Sequence, residues 1–435
     1  PRDMGEIALS FAPVAEASAP AVVNIYARQL VQDRTNPFAG DPFFDRFFED
    51  FGGPPRVENA LGSGVIVAPE GIVVSNHHVV ADATDIRVVL ADRREYAATV
   101  LLDDPQGDLV VLRVDADEPL PAIEMGDSDK LQVGDLVLAI GNPFGVGQTV
   151  SSGIVSGLAR SALQVGDGSG YFVQTDAPIN PGNSGGALVD MAGRLVGINT
   201  AILTRDGGSN GIGFAVPSNL VAAVVAQALA GESRFVRPWA GMQAQEVDAS
   251  LAEALGLDRP LGVMITRLHP KSPFAAAGLA EGDVVLSLGG AQINTPQEFL
   301  YRLSVLGAGA RPFTFVRDGR SIETEVLLGP PPDVPPREEV TVTEDVILRG
   351  ATLARINPSV ISELYLPLDA EGVAVLEARD FAREVGLQPG DILVAINGYE
   401  VTSTAEALEL ARRPDRRWQI DLIRKGQPLR LRFRL

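Results

Sequence analysis

Cysteine is absent from the 435-residue chain, which removes disulfides, zinc–thiolate centres and thiol nucleophiles together. Histidine is scarce, with only His77, His78 and His269, so a histidine-dependent site has few places to be, and no metal or cofactor is expected. No apolar run reaches the roughly 18 residues that a transmembrane helix needs, and stable membrane insertion is not expected. Positive charge is in short supply: 36 Lys and Arg against 56 Asp and Glu give a formal net charge of -20. Such a surface repels phosphate backbones and anionic lipid, which argues against nucleic-acid binding. A chain without cysteine suits an oxidising compartment and a cytosolic one alike. The first residue is Pro1 rather than Met, as after removal of a signal peptide or trimming of a terminus.

Apolar residues (46%), 45 Gly and 31 Pro are plentiful, a composition of several cores built from short strands joined by turns. From Ala21 to about Ala230 short apolar runs such as Gly62 to Val67, Leu109 to Val114 and Leu136 to Ile140 alternate with Gly, Pro, Asn and Asp. This is an all-β pattern. An aromatic and acidic stretch, 36–51, interrupts it, and Leu220, Val221, Val224, Val225 and Leu229 share one face of a helix that closes it. After Arg234 the chain repeats itself: Gly278-Leu-Ala-Glu-Gly-Asp283 recurs as Gly386-Leu-Gln-Pro-Gly-Asp391, each followed later by a hairpin. Two copies make two homologous modules, separated by the proline-rich 329–336, a stiff linker. The division expected is 1–235, 236–330, a linker 331–343 and 344–435.

A serine hydroxyl becomes a nucleophile when a base takes its proton and a carboxylate holds that base in the right tautomer. His78 follows the strand-like Ile72-Val-Val-Ser, Asp108 opens Leu109-Val-Val-Leu, and Ser184 lies in Asn180-Pro-Gly-Asn-Ser-Gly-Gly186. The order His, Asp, Ser is that of chymotrypsin. Glycines around the serine let backbone N–H groups of Gly182 and Ser184 converge on a developing oxyanion, with Asn183 between them shaping the loop. His77 is the weaker candidate base, because adjacent strand residues face opposite ways.

Here the chain resembles the HtrA (DegP/DegQ) serine proteases. The residues that match are Ser75-Asn-His-His78-Val-Val, Asp108-Leu-Val-Val-Leu, Thr175-Asp-Ala-Pro-Ile-Asn-Pro-Gly-Asn-Ser184-Gly-Gly, Ala139-Ile-Gly-Asn-Pro-Phe-Gly145 and Gly211-Ile-Gly-Phe-Ala-Val-Pro217, together with the two repeats. The resemblance implies a mainly β protein: a chymotrypsin-like pair of six-stranded β-barrels followed by two PDZ domains, each an α+β, partly open barrel. It places a regulatory LA-type loop at about 32–58. It implies an ATP-independent endoprotease of periplasmic protein quality control, acting on unfolded polypeptides with some chaperone action, and assembled as trimers or multiples of trimers. His77, Pro178 and Ala187 depart from the family's usual Asn, Ala and Pro.

Pro178 stands six positions before the serine, where trypsin-like enzymes carry a carboxylate, and the resemblance sets Ile212, Gly213, Phe214 and Ala215 along the other wall of the substrate pocket. Cleavage after small and medium aliphatic residues is therefore expected. In the first PDZ module Trp239, Ala240, Gly241 and Met242 form the expected nest for a peptide's terminal carboxylate, with Trp239 and Met242 available to line a pocket. In the second module Arg349-Gly-Ala-Thr-Leu353 is a looser match. The alternative is a catalytically silent PDZ adaptor or holding chaperone on the same fold, against which the intact triad argues.

Overall fold

Strand-sized apolar runs separated by turn residues close into two barrels in the computed structural model, which describes residues 10–31, 56–81, 83–142, 148–160, 164–165, 168–180, 182–202 and 211–434. The chain divides into two compact units, one of residues 1–236 with 297–305 and one of residues 237–296 with 306–435. The loop expected at about 32–58 lies almost wholly outside the described residues.

In the first unit a helix, α1 (Ala12–Ser18), leads into β1 (Val22–Val31), followed by β2 (Arg56–Ala68), β3 (Ile72–Ser75), β4 (Ala83–Val89), β5 (Glu95–Asp104) and β6 (Leu109–Val114). These close as a barrel in the order β1-β2-β3-β6-β5-β4. A one-turn helix, α2 (His77–Val80), sits between β3 and β4. The next strands are β7 (Leu136–Gly141), β8 (Thr149–Arg160), a small hairpin β9 (Gln164–Val165) and β10 (Gly168–Ser169), then β11 (Phe172–Thr175), β12 (Ala187–Asp190), β13 (Leu195–Ile202) and β14 (Gly213–Pro217). The second barrel closes in the order β11-β14-β13-β12-β7-β8. The helix read from the sequence is α3 (Ser218–Leu229), with Leu220, Val221 and Val224 buried.

Period-2 alternation sends one set of side chains into each barrel and the other against its neighbour. Val23, Ile25, Ile66 and Leu112 fill the first barrel, and Val137, Val173, Leu188 and Ala215 fill the second. Val74, Leu109 and Val111 of the first meet Leu138, Ile140 and Ala187 of the second in one apolar cluster. At about 25 cal/mol per Å² of apolar surface removed from water, burial of this kind is what holds the barrels together. The loops that carry His78, Asp108 and Ser184 all leave strands that contribute to it.

In the second unit each module is a twisted antiparallel sheet with short helices. The first has β15 (Met242–Glu246), β16 (Val263–Leu268), β17 (Val284–Leu288), β18 (Ala291–Gln292), β19 (Gly309–Arg317) and β20 (Arg320–Leu328). The second has β21 (Val340–Thr341), β22 (Ala351–Arg355), β23 (Val373–Ala378), β24 (Ile392–Ile396), β25 (Tyr399–Glu400), β26 (Arg417–Arg424) and β27 (Gln427–Arg434). The repeated Gly-Asp motif has one physical role in both. Asp283 is buried and paired with Arg317 at 2.6 Å, and Asp391 is buried and paired with Arg424 at 2.7 Å. Each arginine also donates to the carbonyl of the motif's first glycine, Gly278 or Gly386, at 2.8 and 2.7 Å. The linker expected at 331–343 is not wholly outside the sheets, since its end supplies β21.

Candidate functional site

Asn76 is extended (φ -80°, ψ 146°) and starts the turn of α2, so the two histidines sit on one helical turn rather than on a strand. The strand-face argument that separated them is corrected: they are separated by their carboxylate partners. His77 Nδ1 lies 2.6 Å from Asp103 Oδ1 at the end of β5. His78 Nδ1 lies 2.9 Å from both oxygens of Asp108. An ionised carboxylate only accepts, so the shared proton sits on Nδ1 and leaves the Nε2 lone pair of His78 as a base.

Asp108 is held in a left-handed backbone conformation (φ 50°) at the turn between β5 and β6. Asn76 Nδ2 donates to its carbonyl at 2.9 Å and the His78 N–H to its Oδ1 at 3.1 Å. Thr200, on β13 of the other barrel, donates its hydroxyl to Oδ2 at 2.5 Å. Burial pushes the Asp108 carboxyl up, but the charge and hydrogen bonds of His78 and the Thr200 hydroxyl together hold it below the usual carboxylate range. Thr200 was not found in the sequence, because a lone threonine in a strand carries no signal of its partner.

Ser184 lies at the turn before β12. Its hydroxyl donates to the Thr200 carbonyl at 3.1 Å, so a rotation about χ1 is needed before that proton points at a base. The loop is sewn to the first barrel: Ser63 N–H donates to the Ser184 carbonyl at 2.9 Å and Ser63 Oγ to the Gly182 carbonyl at 2.6 Å. Gly185 (φ 80°) must be glycine, because a Cβ there would lie 2.0 Å from the Ser63 carbonyl oxygen. The N–H groups of Asn183, Gly185 and Gly186 donate to the carbonyls of Asn180, Asn199 and Asn183. The structure thus brings His78 and Asp108 into contact and places Thr200 against both Asp108 and Ser184.

Comparison with known proteins assigns the domains. Residues 62–198 match a trypsin-like peptidase domain, and residues 238–328 and 373–424 each match a PDZ domain. A probable periplasmic serine endoprotease DegP-like from Marinomonas sp. (strain MWYL1) is 37% identical across 98% of this chain and 93% of its own length. The protein of that name from Pseudomonas fulva (strain 12-X) is 36% identical, again across 98% and 93%. Among solved structures, the HtrA-type protease AlgW with a decapeptide is 39% identical with a TM-score of 0.54, covering 74% of this chain and 100% of that one. The same protease with a tripeptide is 37% identical with a TM-score of 0.56, covering 75% and 99%. The chain belongs to the HtrA family of serine endoproteases.

Within that family frame, the residues expected to line a substrate pocket differ in burial. Phe214 is 2% exposed and packs edge-on to Phe172 at 6.2 Å, while Ala215 is fully buried inside the second barrel. Their strand, β14, lies between β11 and β13, so the Phe214 side chain enters the cluster between the barrels and the Ala215 side chain the barrel core. Ile212 is partly buried, and Gly213 lets Ile179 pack onto it, with a built Cβ only 2.7 Å from Ile179 Cδ1. Pro178 is exposed, and its carbonyl accepts from Ser151 Oγ at 2.7 Å. Asp176, two positions earlier, has Oδ1 occupied by the Ile154 N–H at 2.7 Å.

In the first PDZ module Gly241 has φ 60° and Met242 opens β15. Trp239 is 6% exposed and packs under the loop, its ring 5.1 Å from that of His269 and against Gly241. It forms the floor of the loop. The Ala240 carbonyl accepts from Ser272 Oγ and the Gly241 carbonyl from the His269 N–H, which fixes the loop's backbone.

Proposed function

We propose that this HtrA protease cleaves unfolded polypeptides in the periplasm by an acyl-enzyme mechanism with Ser184 as nucleophile, His78 as base and Asp108 as the group that orients it. The observation that carries this reading is the contact of His78 Nδ1 with both Asp108 oxygens at 2.9 Å, because it fixes the tautomer that leaves Nε2 free of a proton. Ser184 turns from the Thr200 carbonyl toward Nε2, loses its proton there and attacks the scissile carbonyl. The Gly182 and Ser184 N–H groups meet the resulting oxyanion, with Asn183 holding the loop. His78 then returns the proton to the leaving amine, and water repeats the cycle on the acyl-enzyme.

Pro178 offers no carboxylate, and the partly buried Ile212 offers an apolar side chain. An unpaired ammonium buried there costs several kcal/mol, so cleavage follows small and medium aliphatic residues, Val and Ala first. One methylene changes binding by about 1 to 3 kcal/mol, so the preference is graded. Unfolded casein digested by wild type and by Ser184→Ala, with the new termini read by mass spectrometry, tests both parts. Digestion by the Ser184→Ala variant removes the nucleophile assignment, and a majority of cuts after Arg or Lys removes the pocket. Trimers or their multiples, and chaperone action by the proteolytically silent variant, complete the reading. Particle mass and suppression of aggregation by Ser184→Ala are their measurements.

A further inference from the structure

The two PDZ modules are built alike up to the strand where a peptide adds, and differ beside it. In each, a left-handed glycine, Gly241 (φ 60°) or Gly350 (φ 86°), leads into the strand, β15 or β22. The Gly241 carbonyl accepts from the His269 N–H at 2.8 Å and the Gly350 carbonyl from the Arg379 N–H at 2.9 Å, the same bond in both copies. Among the described residues β15 pairs on one side only, with β16. β22 pairs on both sides: with β23, and antiparallel with β21, which comes from the end of the proline-rich stretch.

Val340 stands opposite Leu353 and Thr341 opposite Thr352. One residue further, the Val342 N–H donates to the Ala351 carbonyl at 2.8 Å, and the Gly350 N–H donates to the Val342 carbonyl at 2.8 Å. A PDZ domain takes a peptide C-terminus as an added antiparallel strand, with the terminal carboxylate on backbone N–H groups of the loop before that strand. The Val342 carbonyl stands where that carboxylate would. The side chains alternate as a ligand's would. Val342 is 2% exposed within the module's apolar core, and Val340 packs partly against the same core. Thr341 points outward, its Oγ1 3.1 Å from Thr352 Oγ1. Just beyond, Glu344 is held in a two-pronged ion pair by Arg412 at the end of the helix Thr404–Ala411.

We infer that the second PDZ module is a peptide site for C-termini of the pattern apolar-x-apolar, filled in cis by residues 340–342 as an internal ligand. A tethered ligand acts at an effective concentration on the order of mM, so free peptide at micromolar concentration does not enter. The module opens only when the segment leaves.

The probe is a peptide of residues 337–342 with a free carboxylate, titrated calorimetrically into the full chain. Val342→Asp, which sets a charge where the core expects an apolar side chain, is expected to gain one site per chain, about 10²-fold tighter than the second site of the wild type. Thr341→Cys with Thr352→Cys adds the only cysteines of the chain at facing positions. Its oxidised form is expected to stay closed at millimolar peptide, while its reduced form takes a second peptide. This arm decides the matter even if Val342→Asp prevents the module from folding. A micromolar second site in the wild type, a folded Val342→Asp with no added site, or equal binding by oxidised and reduced forms overturns the inference. Neither arm depends on the chemistry at Ser184.

Discussion

A carboxylate buried beside an imidazole stays ionised only while its lone pairs are met, and Asp108 is met by the ring and backbone of His78 and by Thr200. A hydrogen bond to a charged group contributes about 1.5 to 3 kcal/mol, so Thr200→Val is expected to lower kcat/KM on casein about 10- to 100-fold. An unchanged rate would show that Asp108 needs no third donor. Ser184→Ala, His78→Ala and Asp108→Asn should each remove most proteolysis, with double variants little worse than single ones, because the three act as a unit. His77→Ala should do much less, and the reverse pattern would move the base to His77. His77 has its own signature: the hydrogen bond it donates to Asp103 raises its pKa above 6.5, outweighing the lowering by burial. A raised pKa contributes stability that is whole below pH 6.5 and is lost as the pH rises through the folded value. The gap in unfolding free energy between wild type and His77→Asn should narrow across that window, and a gap independent of pH would contradict the ion pair. The contact of His78 with Asp108 was legible because base and carboxylate each need a particular residue type in a recognisable setting. Thr200 was not, since a hydroxyl in a strand has many ordinary uses.

At the scale of elements, the all-β character and the repeated modules follow from short apolar runs and a repeated Gly-Asp motif, both long enough to read, while the pair of barrels was implied by the family resemblance. The one-turn helix at His77 is four residues long, too short for a helical period to show. Strand β21 has only two residues and was hidden by the prolines before it, although Val340 and Val342 already alternate around Thr341. The recurring Asp–Arg pair is the element with the clearest energetic test. Asp391 is fully buried and its partner Arg424 is 24% exposed. Removing one member of a buried pair leaves the other charge uncompensated, which costs about 3 kcal/mol or more. Asp391→Ala should therefore lower the stability of the second module by about that amount in urea unfolding, whereas loss of less than about 1 kcal/mol would mark the pair as surface-like.

For the whole molecule the central matter is how a family fold becomes an active protease. Asn183 is buried with Oδ1 unpartnered among the described residues. A carboxylate at that position, as in zymogens that bind a newly cut N-terminus, would be an unpaired buried charge. Activation by such an ion pair is closed to this chain, and control through ordering of the loops around Ser184, biased by peptide at the first PDZ module, is the route left open. Deleting residues from Arg237 onward should blunt stimulation by unfolded protein, and equal stimulation of the full and shortened chains would contradict this. The most direct test of the catalytic account is covalent labelling by a fluorophosphonate probe, with the modified residue located by peptide mass spectrometry. The account predicts one modified residue, Ser184, in the wild type, and loss of labelling in His78→Ala. Labelling at another serine, or casein degradation by a chain whose Ser184 never reacts, would contradict it.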